Sequence, residues 1–526
     1  MQIAEQTRIE PELLKEFLVN IKTKVPHVEE RPSGPVIVNA TPLVEITTVI
    51  KECARSEYGL EISTENAKVF AKLDSEIFGG SVKVRPAVRI IEDAIRSGKL
   101  QNGKTVFEAT SGNFGIALGM MRSLGFDVIA LVSRKLERGV LRQLAETGVK
   151  LVNLDVDICP APGLKMDSNL IVAKSVADNL RDQLAKLGLD LTAFDSSRGD
   201  VEQLLARQDV INLAKLLAKA YGGFCPEQYD NEMNARVHEG VTGPEIDQQL
   251  RALGHSLSEF SVISTFGTGG TSTGISKYIK MKYGERTVHT VFPLAGQDVG
   301  GIRTREKARG LRFYRPELYA GQHEVDFEAA KRLLKFFASR GYNIGESSAL
   351  AFYACIQMLN FGVGDKFIVI VADGIQKYKE NLETGAGETK RREVTLQEAR
   401  SNISDYDVIW THAAFVPKDE GVRLIASSLG CEDNKVKVAR AQDVQRLVIN
   451  EEVPQTMRTL FPKDKRKLLL VCMAGNTSLK VARILAKGGI EAESLTGGIM
   501  GLPEVDTKDP LQVVRSAVVQ TQASPD

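Results

Sequence analysis

The sequence predicts an α/β chain built of two units, each a mainly parallel sheet covered by helices. Three observations predict it. Short β-branched runs alternate with segments of helical period. Glycine-rich turns stand where strands hand over to helices. Beyond residue 380 the pattern dissolves into a polar stretch and then begins again. A chain of 526 residues exceeds what one core organises and suits roughly two to four domains.

Residues 1–35 read as an N-terminal helical extension, because "MQIAEQTRIEPELLKEF" is charged and amphipathic and lacks the apolar run of a signal peptide. Residues 36–385 carry the first unit. Its strands are "KTVFEA", "DVIALVS", "VKLVNLD", "FSVISTF", "VHTVFPL" and "KFIVIVAD", short and bounded by turn residues. Its helices include "AVRIIEDAIRSG", "FGIALGMMRSLG", "ERGVLRQLAETG" and "FEAAKRLLKFFASRG", several of which end in glycine, as helix C-termini often do. Residues 158–222 are charged and rich in Leu and Ala, and read as a helical insertion. Residues 386–396, which overlap the polar, glycine-bearing run "ENLETGAGETKRRE", read as a linker. Residues 397–526 restart the alternation with "DYDVIWTH", "KLLLVCMA" and the helix "TSLKVARILAKGG", a second α/β domain of about 130 residues.

Composition narrows the class. Hydrophobic content of 43% and charge of 26% are those of a soluble globular chain, and a formal net charge of +1 argues against nucleic acid or membrane held by bulk electrostatics. No stretch approaches the roughly 18 apolar residues of a membrane span. The six cysteines are scattered without CxxC pairs, which reads as reduced thiols in a cytoplasmic protein, with neither a disulfide framework nor a metal site.

Four stretches carry chemistry. In "GTGGTSTG", Gly267 to Gly274, a strand, a glycine turn and a helix start present several backbone N–H groups, with the hydroxyls of Thr268, Thr271 and Thr273 nearby. Such a cup suits a phosphate. Serine at position 272 spoils the dinucleotide spacing, and no Gly-Lys-Ser/Thr follows, so a single terminal phosphate fits better than a nucleotide. "EATSGNFGIALG" also runs from a strand into a helix; Thr110, Ser111 and Asn113 are helix-capping types, yet with Gly112 they also make an anion cup for a carboxylate, with Asn113 free to bond a ring hydroxyl. In "GGSVKVR", Lys83 lies at a helix entrance, where the helix terminus disfavours an ammonium and suits a nucleophilic amine; a solvated loop charge is the plainer account. "GESSALA" supplies Ser347.

In order and spacing these stretches, together with "PEQYDNEMNARVHEGVTGPEI" at Pro226 to Ile246, resemble the fold-type II pyridoxal-phosphate enzymes of the cysteine synthase and cystathionine β-synthase family, over roughly residues 35–385. The resemblance implies two open, mainly parallel α/β subdomains and pyridoxal 5′-phosphate as cofactor. Lys83 would carry that cofactor and serve as the base at Cα. Gly267, Thr268, Gly269, Gly270 and Thr271 would hold its phosphate. Asn113 would meet its ring hydroxyl and Ser347 its pyridine nitrogen. Thr110, Ser111, Gly112 and Asn113 would hold the carboxylate of a small amino-acid substrate. A homodimer is implied as well. The chain departs from the family pattern at Ile77-Phe78, Phe114 and Ala349, and in its insertion.

In the C-terminal unit Cys472 ends a buried strand and faces the loop Met473, Ala474, Gly475, Asn476, Thr477 and Ser478 at a helix start, a setting for a stabilised thiolate; a small buried hydrophobe is the alternative. "CxxGxxS", then "AxxLxxxGI" and "LTGGI", resemble a rhodanese-like sulfurtransferase domain, whose matching cysteine carries a persulfide. The usual "D-x-R" is replaced by "IWTHAAF". Three readings stay open. The first is β-replacement on an O-activated serine through an aminoacrylate, giving cysteine or a related β-substituted alanine. The second is a cysteine β-lyase passing sulfur to Cys472, with a sulfur donor or acceptor protein as partner. The third is a non-catalytic cofactor-binding scaffold.

Overall fold

The computed structural model describes residues 11–502 except 33, 111, 134–137, 155–169, 208, 296, 298, 379–392, 412–417, 441–442, 445–446, 448–452, 462–465, 473–475 and 497. Ser111, Met473, Ala474 and Gly475 therefore lie outside the described residues, and of Asn476 and Thr477 only the backbone is described.

The N-terminal stretch is helical over Pro11–Asn20, but strands β1 (His27–Arg31) and β2 (Gly34–Val38) then pair as an antiparallel hairpin, which the reading of 1–35 as helical did not foresee. The cause is the β-rich run "PVIV", which is too short to nucleate a helix. Next come β3 (Leu43–Glu45) and β4 (Lys68–Leu73). Between β4 and its sheet partners the chain builds a separate three-stranded parallel sheet from β5 (Thr105–Ala109), β6 (Asp127–Ser133) and β7 (Lys150–Leu154). It then returns through β8 (Ser261–Thr265), β9 (Val288–Pro293), β10 (Gly321–Val325) and β11 (Lys366–Val371). These complete a six-stranded sheet ordered β10-β9-β8-β11-β4-β3, parallel except at the β3–β4 edge.

Strand β11 shows why the centre of this sheet reads as an unbroken apolar run. Phe367, Val369 and Val371 join the core under helices Phe327–Ser339 and Glu346–Asn360, while Ile368 and Ile370 join the opposite core under Gly243–Ala252 and Gly270–Tyr283. Both faces are buried, so both sets of alternate residues are apolar.

The insertion is helical over Leu170–Lys186, Leu191–Ser196, Arg198–Ala206 and Val210–Ala220. Its last two helices are separate because the Asp209 carboxylate accepts the Asn212 backbone N–H at 3.1 Å and starts a new helix.

In the C-terminal unit β12 (Glu393–Val394), β13 (Tyr406–Thr411), β14 (Val436–Ala439), β15 (Lys467–Val471) and β16 (Ala492–Leu495) form a parallel sheet ordered β12-β16-β15-β13-β14. Strand β12 and the helix starting at Leu396 occupy the end of the expected linker. Thr395 caps that helix with Glu398 in a reciprocal box, so the sheet begins at 393 rather than 397. Trp410, the only tryptophan of the chain, is fully buried in β13 and packs against Gly421, where a side chain would collide with the indole. No helix of the described residues is long and apolar enough to cross a membrane.

Candidate active site

Parallel strands deliver their C-terminal ends to one edge of a sheet, and there the α/β architecture gathers its ligand groups. The stretch holding Lys83 follows β4, the glycine loop follows β8, and Asp373 follows β11, which lies between those two strands. Thr110, Gly112 and Asn113 follow β5 of the smaller sheet. Backbone bonds knit the edge together: Val82 N–H donates to Ala372 O at 2.7 Å, Ser81 bridges Asp373, and Gly345 N–H donates to Asp373 O at 2.9 Å.

Lys83 stands at the N-cap position of helix Val84–Arg96. Burial pulls its amine down to about 8, and the Asp373 carboxylate opposes the shift. Burial is therefore the leading cause, rather than the helix terminus invoked from sequence. A buried ion network anchors this corner. Arg85 holds Asp74 with two bonds and reaches Glu245 at 2.7 Å, and Glu245 in turn binds Lys72 at 2.7 Å.

The glycine loop meets Lys83 directly. A Cβ at Gly267 would stand 3.5 Å from Lys83 Nζ and 2.8 Å from Gly301 O, so only glycine leaves the approach open. Gly269 has the left-handed φ of 87°, and Gly270 opens helix Gly270–Tyr283. Thr268 Oγ1 accepts from Asn234 Nδ2 at 3.1 Å, and Thr271 Oγ1 lies 3.2 Å from His238 Nε2. Burial holds His238 well below its ordinary pKa, with Arg85 and Lys83 adding to the effect, so it serves as a neutral imidazole. Thr273 is not part of the cup: its hydroxyl donates to Phe313 O at 2.7 Å.

Thr110 is fully buried, and its Oγ1 accepts the backbone N–H groups of Gly112 and Gly115 at 3.1 and 3.2 Å, which satisfies the capping account. Its own hydroxyl hydrogen remains to donate. Asn113 is not free, although the sequence suggested that it would be. Its Nδ2 donates to Asp373 Oδ2 at 2.9 Å and its Oδ1 accepts from Lys377 Nζ. Asp373 Oδ2 also accepts from Tyr378 at 2.9 Å. Ser347 is buried in the first turn of helix Glu346–Asn360, and its neighbour Ser348 accepts the Ala372 N–H at 3.1 Å. The structure thus brings Lys83, Gly267 and Asn113 to one edge, with Ser347 two residues beyond Gly345 in the same backbone knot.

Asn234, His238, Asp373 and Lys377 are not singled out by the sequence. The first two lie inside the stretch at 226–246 that stands out only as a whole. Asp373 ends the predicted strand "KFIVIVAD" and Lys377 follows it, and that place at the end of a parallel strand is the one signal that points to them.

Cys472 caps β15 and is buried, and Ser478 Oγ donates to its Sγ at 3.2 Å. Ser494 Oγ lies 2.8 Å behind Ser478. From β13 the chain runs on to β14, and from β15 to β16 on the opposite side, so Cys472 stands where the sheet order reverses. The second constellation is therefore a sulfur backed by two buried hydroxyls.

A pyridoxal phosphate fits the first site. Ser81 Oγ, Ser272 Oγ and Asp373 Oδ1 are buried there without a hydrogen-bond partner among the described residues, around a glycine cradle and an amine of lowered pKa.

Residues 58–159 and 160–374, more than half of the chain, match the family described as "Pyridoxal-phosphate dependent enzyme". A cysteine synthase of Staphylococcus aureus (strain Mu50 / ATCC 700699) is 28% identical over 351 residues, covering 65% of this chain and 93% of that protein. Cysteine synthase B of Escherichia coli (strain K12) is 26% identical over 336 residues, covering 61% and 92%. Among solved structures, O-ureido-L-serine synthase aligns with a TM-score of 0.48 at 22% identity, covering 66% of this chain and 93% of that one. A hydrogen sulfide-producing enzyme from Fusobacterium nucleatum aligns with 0.46 at 20%, covering 64% and 96%. The chain belongs to the pyridoxal-phosphate dependent enzyme family.

Proposed function

We propose that the chain catalyses β-replacement on an O-activated serine, giving cysteine or a related β-substituted alanine. The observation that carries this reading is the close approach of Lys83, an amine lowered to about 8, to the glycine loop at Gly267. The cysteine synthases among its relatives support the substrate class.

Bound pyridoxal phosphate supplies the electron sink that makes a Cα–H acidic and releases a β-substituent. Lys83 would hold the cofactor, and its amine, once free, would be placed to accept the Cα proton of the substrate. Gly267 to Thr271 would hold the phosphate through backbone N–H groups and the Thr268 and Thr271 hydroxyls. Thr110, Gly112 and Asn113 would orient the substrate carboxylate, and Ser347 would meet the pyridine nitrogen. A hydroxyl at that nitrogen does not keep it protonated, which favours loss of the β-group over transamination.

A second reading rests on Cys472. With its sulfur hydrogen-bonded by Ser478 at the reversal of the sheet, it is suited to carry a persulfide taken from a sulfane-sulfur donor, whose outer sulfur moves to Cys472 while the donor leaves as its thiol; a cysteine β-lyase at the first site would release its sulfur separately, as sulfide. The experiment is a visible spectrum of the loaded protein titrated with O-acetylserine, O-phosphoserine and cysteine, followed by product analysis with added sulfide. Cysteine formed from an O-activated serine supports replacement. Pyruvate and ammonia from cysteine alone support the lyase. No spectral response to any of the three would leave the scaffold reading standing and sink both.

A further inference from the structure

Asn113 is held between a cation and an anion. Its amide nitrogen donates to Asp373 Oδ2 at 2.9 Å and its amide oxygen accepts from Lys377 Nζ. Lys377 and Asp373 are themselves 3.7 Å apart, and the side chains of both are almost completely buried. Rotating the amide by half a turn would set N–H against ammonium and carbonyl against carboxylate. In a buried site neither clash is screened by water. The surrounding charges therefore dictate which end of Asn113 is oxygen and which is nitrogen.

The two partners are fixed from the backbone outward. Asp373 is tied to Gly345 and Ser81 through its main chain, and its carboxylate takes a further hydrogen bond from Tyr378 at 2.9 Å. A side chain at Gly345 would collide with Asp373 Oδ1, so glycine there keeps the carboxylate seated. Among the described residues, Lys83 acts on Asp373 through its charge and the Tyr378 phenol donates a hydrogen bond to it. An amide nitrogen carries two hydrogens, and Asp373 occupies one.

We infer that Asp373 and Lys377 are positioning residues that lock the Asn113 amide in one orientation, so that it meets the ring oxygen of the cofactor only as an N–H donor. This rests on the cofactor placement proposed above. An N–H donor favours the anionic ring oxygen and leaves the proton on the lysine-side nitrogen.

The test uses the full chain loaded with pyridoxal 5′-phosphate, without amino-acid substrate, and reads the absorbance spectrum across neutral pH together with the cofactor dissociation constant. The variants are Asp373→Asn and Lys377→Met, with Lys377→Arg as the charge-preserving control. In both neutralised variants a shorter-wavelength band from the protonated ring oxygen is expected to grow several-fold, its share changing with pH, while Lys377→Arg stays close to the parent. Parent-like spectra in both variants overturn the inference, even if stability or turnover falls, since that pattern marks a merely structural ion pair. Should Asp373→Asn not fold, Lys377→Met decides alone, because it removes the ammonium, charge and donor together, while keeping an unbranched side chain of similar length. Failure of the parent chain to form a visible band that Lys83→Ala abolishes would strike the cofactor placement instead, so the two failures are separable.

Discussion

Arg85 grips Asp74 with a two-pronged hydrogen bond, Nε to Oδ2 at 2.9 Å and Nη2 to Oδ1 at 2.7 Å, two residues past the lysine of the site. Both side chains are essentially inaccessible to solvent. Burial alone would raise the Asp74 carboxyl, but the charge and hydrogen bonds of Arg85, with Lys72 and Thr41, hold it below its ordinary pKa. Breaking such a pair leaves an uncompensated buried charge, which costs about 3–5 kcal/mol. Asp74→Ala is expected to lose that much in urea unfolding. In the parent chain the pair's contribution is present above the ordinary carboxylate pKa, and it is lost as the pH falls through the depressed native value.

Uptake of the cofactor should report the ionisation of Lys83. Only the unprotonated amine adds to an aldehyde, and burial brings the Lys83 pKa to about 8. The rate at which cofactor-free protein develops its visible band is expected to rise with pH and level off above about 8. A rate still climbing steeply toward the ordinary lysine range would show that the amine is not buried as described.

Gly267→Ala places a methyl group against Gly301 O and beside Lys83 Nζ. Overpacking of this kind costs about 1–3 kcal/mol. Cofactor affinity is expected to fall about tenfold or more, measured by titration of the cofactor-free chain, with Thr273→Val as a control that leaves the cup alone.

Sulfur chemistry at Cys472 should depend on Ser478. A hydrogen bond of ordinary strength contributes about 0.5–1.5 kcal/mol, so Ser478→Ala is expected to slow alkylation of Cys472 several-fold. Mass analysis after exposure to a sulfane-sulfur donor should find one added sulfur atom, which Cys472→Ser abolishes. Equal alkylation rates in the parent and Ser478→Ala would mean that the hydroxyl does nothing for the reactivity of the sulfur.

Central strands such as β11 were legible because their residues are apolar on both faces, as "KFIVIV" shows, whereas β3, β4, β10 and β14 were not read. The strand–glycine–helix junctions were legible because close backbone approach has few sequence solutions. What the sequence hid was contact between distant charged residues. Lys72 and Glu245 look like ordinary solvated charges, and only the folded chain shows them paired at 2.7 Å with no exposure. Likewise nothing in the spacing of Asn113 and Asp373, 260 positions apart, announces that they share a hydrogen bond. The start of the C-terminal sheet was misplaced by a few residues because β12 is only two residues long, too short to show a period.

Trp410 gives this chain an optical asymmetry. The only indole lies in the interior of the C-terminal sheet, whereas the expected chromophore at Lys83 belongs to the larger unit. Near-ultraviolet emission and visible absorbance therefore read two different bodies of one polypeptide. Followed together through a single denaturant titration, coincident curves would mark one cooperative transition and separated curves would give each unit its own stability, with no need to cut the chain.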